Sequence, residues 1–178
     1  MHVINLFAGP GAGKSTTAAG IFNLLKLEGF SVELVTEYAK DLTWDKRWNT
    51  LEDQLYVFAK QHNRLFRLRN QVEWVVTDSP ILLSLIYAKT NYLNGAFEDL
   101  VHEVWQTFDN HNFFINRVKN YVQVGRSQTE QQARKIDADI KRLLHYQSFK
   151  ELEGNRDAPQ VVLEELKRNG FTGKIPTF

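Results

Sequence analysis

The nine residues Ala8-Gly9-Pro10-Gly11-Ala12-Gly13-Lys14-Ser15-Thr16 carry the densest chemistry in the chain. Glycines let successive backbone N–H groups turn inward around an anion, and a helix opening at this point adds its positive dipole end. The spacing predicts that the amides of Gly9, Gly11, Ala12 and Gly13 cradle phosphates, with Lys14 reaching the β- and γ-phosphates of ATP as a point charge. The Ser15 hydroxyl would then ligate Mg2+, and Thr16 would hydrogen-bond a phosphate farther back. The usual pattern has a glycine five residues before Gly13, where this chain has Ala8. Gly9 and Gly11 supply freedom close by. The competing reading is a tight strand-to-helix turn with a solvent-facing lysine; the flanking strand and helix patterns favour the phosphate cradle.

Other residues can turn nucleotide binding into a reaction. Asp78 ends the apolar run Trp74 to Thr77, the place of a Walker B-type acid that holds the magnesium shell; its alternative is to cap the next helix with Ser79. Glu37 follows the second apolar run and would emerge at the same sheet edge as Lys14 and Asp78. A carboxylate there can take the proton of an attacking hydroxyl, although it can also be a solvated partner for Lys40. Arg117, Lys119, Arg126, Arg134 and Lys135 stand against Glu130 alone, a local excess of four positive charges. That stretch can close as a lid and bring guanidinium groups to developing phosphoryl charge, or be a solvated helical face. A second basic stretch, Lys60, Arg64, Arg67 and Arg69, can meet an acceptor phosphate or face water, while Tyr38, Trp44, Trp48 and Phe58 can stack on a base or pack in the core. His62 lies on an apolar stripe and reads as packed. The five histidines are scattered, with no close pair in sequence, which gives little support for a transition-metal site.

These residues must be positioned by alternating strands and helices. Val3 to Phe7, Val32 to Val35, Trp74 to Thr77, Phe113 to Ile115 and Phe149 to Leu152 read as strands. Ser15 to Leu27 is a helix with Ala18, Ile21, Leu24 and Leu25 at helical spacing, closed by Gly29. Thr50 and Asp53 resemble a capping box before a stripe of Leu51, Leu55, Phe58, His62, Leu65 and Phe66. Ser79 and Pro80 are placed to open the next helix, and another spans about Phe97 to Phe108, with Leu100, Val101 and Val104 on one face. Ser127 and Glu130 form a second capping box before Ala133, Ile136, Ile140 and Leu143, and a last helix runs from Asp157 to Arg168. The pattern predicts an α/β domain with a parallel sheet and helices on both faces.

A length of 178 residues, 43% hydrophobic and 24% charged, suits one globular domain spanning 1–178. The net charge of +1 gives no global reason to expect a nucleic-acid or membrane binder. Without cysteine there is neither a disulfide framework nor a thiolate metal site. No apolar run is long enough for a membrane span and the first residues lack a signal-peptide pattern, so the expected location is cytoplasmic.

Ala8 to Thr16, Glu37-Tyr38-Ala39-Lys40, Thr77-Asp78-Ser79 and Arg117 to Arg134 occur in an order that resembles P-loop kinases of the nucleoside, nucleoside monophosphate and nicotinamide-riboside type. The chain is also similar to small ATP-binding, kinase-like proteins encoded by bacteriophages. The resemblance implies a P-loop NTPase fold with a five-stranded parallel sheet in the order 2-3-1-4-5. It implies Lys14 and Ser15 on ATP and Mg2+, Glu37 near the acceptor, and Asp78 in the metal or acceptor site. Arg117, Arg126 and Arg134 would belong to a lid of about 117–134, and Gly154-Asn155-Arg156 would lie where such kinases hold adenine. Ser79 stands where many relatives have arginine, and the arginines of the lid are widely spaced. The expected activity is transfer of the γ-phosphoryl group to a nucleoside, nucleotide or related acceptor; the rivals are a kinase acting on hydroxymethylated pyrimidines in DNA and an ATPase switch working through a partner.

Overall fold

The computed structural model describes residues 1–89, 92–118, 121 and 129–174. Five parallel strands, β1 (His2–Phe7), β2 (Val32–Val35), β3 (Trp74–Thr77), β4 (Asp109–Asn116) and β5 (Lys150–Glu153), form one sheet in the order β2-β3-β1-β4-β5. The helices are α1 (Lys14–Leu27), α2 (Tyr38–Trp44), α3 (Trp48–Glu52), α4 (Gln54–Phe66), α5 (Ser84–Tyr87), α6 (Ala96–Gln106), α7 (Glu130–Leu143) and α8 (Ala158–Arg168). Among the described residues no helix is long and apolar enough to cross a membrane.

Strand β1 lies at the centre, and its alternation builds two cores. Ile4 and Leu6 face Ala18, Ile21 and Leu25 of α1 and Val162, Leu163 and Leu166 of α8. Val3 and Phe7 face Phe58 and Leu65 of α4, Val101 and Trp105 of α6, and Ile140 of α7. Helices α1 and α8 approach so closely that a Cβ on Gly20 would sit 2.6 Å from Pro159 Cγ, which accounts for a glycine inside α1. Asn5, buried in the sheet, donates to Asn110 Oδ1 (2.9 Å) and Asn112 Oδ1 (3.2 Å), so the polar interruption of β1 is satisfied across β4.

Several helix starts differ from the sequence expectation. Asp53 caps α4 by accepting from Tyr56 N–H (3.1 Å), while Thr50 lies within the short α3. The buried face of α4 is Val57, Phe58, Gln61 and Leu65; Leu55 and Phe66 are exposed. The capping box of α7 is Thr129 with Gln132, each side chain bonding the other's backbone, and Ser127 lies outside the described residues. Two residues on, Thr129 has a glutamine at the reciprocal third position, and the helix begins there. Ser79 makes no side-chain cap: its N–H donates to Thr77 Oγ1 (3.1 Å), and a 3-10 turn at Ile81–Leu83 precedes α5. In α6 the core positions are Phe97, Val101 and Trp105, one turn apart, leaving Leu100 outside. Finally, parallel pairing of β1 with β4 brings His2 and His111 to 3.3 Å, a close histidine pair that linear spacing concealed.

Candidate functional site

The loop between β1 and α1 supplies the backbone for an anion. Gly11 (φ +80°) and Gly13 (φ +106°) hold left-handed conformations that side chains disfavour, and α1 begins at Lys14 without a side-chain cap. Its first amides are thus left to a ligand or water. Gly9 is required for another reason: a Cβ there would lie 2.5 Å from Ala133 O and 2.8 Å from Asp137 Oδ1. Ala8 and Ala12 are buried, and neither has positive φ. Across the loop's other side, a Cβ on Gly154 would meet Ala12 O at 2.7 Å, so the turn after β5 is packed against the loop.

Lys14 folds back over the loop, Nζ donating to Ala8 O (2.8 Å) and Gly9 O (3.4 Å). Burial lowers its pKa, opposed by the charges of Glu37, Asp78 and Asp137. Ser15 Oγ–H donates to Asp78 Oδ2 at 2.5 Å, while Asp78 Oδ1 is buried with no hydrogen-bond partner among the described residues. A carboxylate with one free, sheltered oxygen beside a serine hydroxyl is a hard-oxygen donor set, which suits Mg2+. The Glu37 carboxyl, at the start of α2, makes no hydrogen bond among the described residues; burial raises its pKa, with Lys14 pulling it down and Asp78 pushing it up.

Arg117 follows β4 directly, and its side chain is only 4% exposed. Nη2 donates to Asp137 Oδ2 (3.0 Å), whereas Nε and Nη1 are buried with no hydrogen-bond partner among the described residues. Leaving two guanidinium nitrogens dry costs free energy unless an anion completes them. The free side lies at the loop: a Cβ on Gly11 would be 3.2 Å from Arg117 Nη1 and 3.0 Å from the Tyr121 ring, which Arg117 also overlies at 5.8 Å. Asp137 is the residue that sequence reasoning missed. Its Oδ1 accepts from Gly9 N–H at 2.6 Å, so one carboxylate ties the phosphate loop, Arg117 and α7 together. The available signal was its place one turn after the core residue Ala133 on an otherwise apolar face.

The other basic candidates lie elsewhere. Arg134 is exposed and pairs with Glu130 at 2.8 Å along α7, away from the cavity, and Arg126 and Lys119 fall outside the described residues. Arg64 pairs with Asp41 and donates to Thr36 O (3.0 Å), and Arg69 bonds Thr107 and stacks on Phe108 (4.5 Å). They brace the fold instead of lining the site. Asn155 Oδ1 accepts from the N–H groups of Asp157 (2.9 Å) and Ala158 (3.2 Å), capping α8 beside the loop-packed Gly154.

A cavity of about 640 Å³ is lined by Gly13, Lys14, Ser15 and Thr16 of the loop and α1, by Glu37 and Ser79, and by Trp44, Trp48, Gln61 and Tyr87. Asp78, Arg117, Asp137 and Asn155 are not among its lining residues. Its volume lies in the range that holds small ligands. Trp44 and Trp48 are largely exposed at its rim. Burial, then the charges of Glu37 and Asp137, push the Tyr87 hydroxyl well above the usual phenol range, so it is present as a neutral donor.

The structure overlays 93% of this chain on 99% of a deoxyadenosine kinase from M. mycoides with bound dATP, with a TM-score of 0.57 and 17% sequence identity. That likeness shows the fold alone, the P-loop NTPase arrangement with its parallel sheet in the order β2-β3-β1-β4-β5. No curated protein matches the chain. A family model described as an AAA domain matches residues 3–155, a span that holds the loop, Glu37, Asp78, Arg117 and Asp137, and the chain belongs to that family, AAA_28.

Proposed function

We propose that the protein transfers the γ-phosphoryl group of ATP to a hydroxyl of a nucleoside, nucleotide or related nucleotidyl acceptor. The observation that carries this reading is one cavity lined both by Lys14 and Ser15 and by Glu37, Trp44, Trp48 and Tyr87. A hydrolysing site needs room only for water; a lining that extends from the phosphate loop to these aromatic rings suits an organic acceptor. The kinase fold shared with a dATP-bound deoxyadenosine kinase supports the same reading.

In the proposed mechanism the loop amides and Lys14 hold the triphosphate, and Ser15 and Asp78 would hold Mg2+, which when bound would supply positive charge to the phosphates. Glu37 accepts the proton as the acceptor oxygen bonds to the γ-phosphorus and the bond to the β–γ bridging oxygen breaks, releasing ADP. Arg117 directs its free Nε and Nη1 at the transferring group. Residues 117–134 act as the lid of one kinase-like domain, with Arg126 and Arg134 brought in on closure, and Asn155 sits beside adenine.

The exposed Trp44 and Trp48 at the rim favour one second reading, a pyrimidine presented from DNA and stacked there. Labelled ATP offered with nucleosides, nucleotides and hydroxymethylated DNA, with Lys14→Ala as control, separates the cases. Label on a free nucleoside or nucleotide supports the proposal; label on DNA selects the second reading. Hydrolysis with no labelled acceptor overturns both in favour of an ATPase acting through a partner.

A further inference from the structure

At the opposite end of the sheet, His2 pairs with Asp109 and Ile4 with His111 across β1 and β4. Side chains alternate along a strand, so His2, Asp109 and His111 share one face. His2 Nδ1 lies 3.3 Å from His111 Nε2 and 2.6 Å from Asp109 Oδ2, and His111 Nε2 lies 3.6 Å from Asp109 Oδ1. In a tetrahedral site with metal–nitrogen bonds of about 2.05 Å, neighbouring ligand atoms are about 3.3 Å apart. The two imidazoles already have that spacing. Packing fixes their rings: His2 stacks on Trp74 at 4.2 Å, and the Phe171 ring stands edge-on to His2 at 5.1 Å and to His111 at 5.6 Å. The Asp109 side chain is 59% exposed, which leaves an open side for entry and a water ligand.

We propose that His2, Asp109 and His111 bind a divalent cation of the zinc class, one that prefers two imidazoles and a carboxylate over an all-oxygen shell. Six residues of strand at about 3.3 Å each put the site about 20 Å from the phosphate loop, so this cation is separate from the one held with ATP. It pins β1 to β4 at the strand starts and leaves nucleotide chemistry to the other edge.

The test uses the untagged chain without nucleotide, with Zn2+ followed by calorimetry and Co2+ by visible absorption. The expected result is one saturable Zn2+ per chain, tetrahedral Co2+ bands displaced by Zn2+, and no displacement by about a hundredfold excess of Mg2+. Asp109→Asn and His111→Ala lose the bands with unchanged circular dichroism, and Asp78→Asn keeps them. Asp109 is exposed, so its variant reports even where His111→Ala fails to fold. Absence of saturable Zn2+ binding, retention of it by Asp109→Asn, or its loss in Asp78→Asn alone overturns the proposal and leaves a hydrogen-bonded His–Asp–His chain.

Discussion

Asp137→Ala removes the only partner that Arg117 has among the described hydrogen bonds and the only acceptor for the Gly9 N–H. Removing one member of a buried ion pair costs about 3–5 kcal/mol, chiefly because the other charge stays buried and unpaired. Arg117 is almost fully buried, but the Asp137 side chain is 19% exposed and water can replace part of it, so the lower end, about 3 kcal/mol, is expected. For a chain of this size that corresponds to a fall in Tm of about 6–12 °C. Urea denaturation of wild type, Asp137→Ala, Asp137→Asn and the double variant Arg117→Met/Asp137→Leu measures it. Asn keeps an oxygen for Gly9 and loses only the charge, so its loss is intermediate; the double variant, with no charge left to bury, recovers most of the stability. Saturating Mg·ATP narrows the gap between Asp137→Ala and wild type, because phosphate reaches Arg117 Nε and Nη1. A loss within about 0.5 kcal/mol for Asp137→Ala, or a double variant as weak as the single one, shows that solvent satisfies Arg117 and refutes this account.

Glu37→Gln lowers phosphoryl transfer by roughly two to four orders of magnitude while ATP affinity measured by calorimetry barely changes; unchanged transfer removes Glu37 from the mechanism. Burial first, then Asp78, raise the Glu37 pKa above the ordinary 4.5, outweighing Lys14. The proton is therefore held more tightly folded than unfolded: its stabilisation is complete below that ordinary value and is lost as pH rises through the folded one. Across that window Glu37→Gln gains stability relative to wild type, read by urea denaturation from about pH 4 to pH 8, and a pH-independent difference would contradict the shift. Gly20→Ala forces α1 from Pro159 and costs about 1–3 kcal/mol, and a melting temperature equal to wild type would show that α8 yields freely.

The fold was legible because its signals are local. Strand runs, the loop and the helix stripes each lie within a short window, and their alternation gives a parallel sheet; the strand order came from the family resemblance. The placement of Glu37 and Asp78 was legible for the same reason, since Glu37 lies two residues past β2, Asp78 directly follows β3, and parallel strands end at one edge. What stayed hidden depends on pairs far apart in the chain. Asp137 reaches Gly9 from 128 residues away and His111 meets His2 from 109, and no periodicity encodes either meeting. The basic stretches left two readings open because charge density does not specify direction: Arg64 donates to Thr36 O, Arg69 stacks on Phe108, and Arg134 pairs with Glu130 along its own helix. Cap positions slipped by three residues at α4, where Asp53 accepts from Tyr56 N–H, and by two at α7, where Thr129 has the reciprocal partner Gln132.

The alanine at position 8 shows how the motif should be read physically. The first glycine of the usual pattern would occupy a position that, in this loop, is buried in the core beneath α1 and has no positive φ, so a methyl group adds apolar contact and demands no strained backbone. The positions that cannot carry a side chain are Gly11 and Gly13, by conformation, and Gly9, by its approach to Ala133 and Asp137. Close approach by α7 moves the steric constraint one residue along the chain, from position 8 to Gly9. If so, Ala8→Gly, which restores the literal motif, leaves ATP affinity unchanged and costs stability, by lost burial and added unfolded-state freedom of roughly 1 kcal/mol. Calorimetry with Mg·ATP alongside urea denaturation reads both quantities, and tighter nucleotide binding by Ala8→Gly would mean that the methyl group does obstruct the cradle.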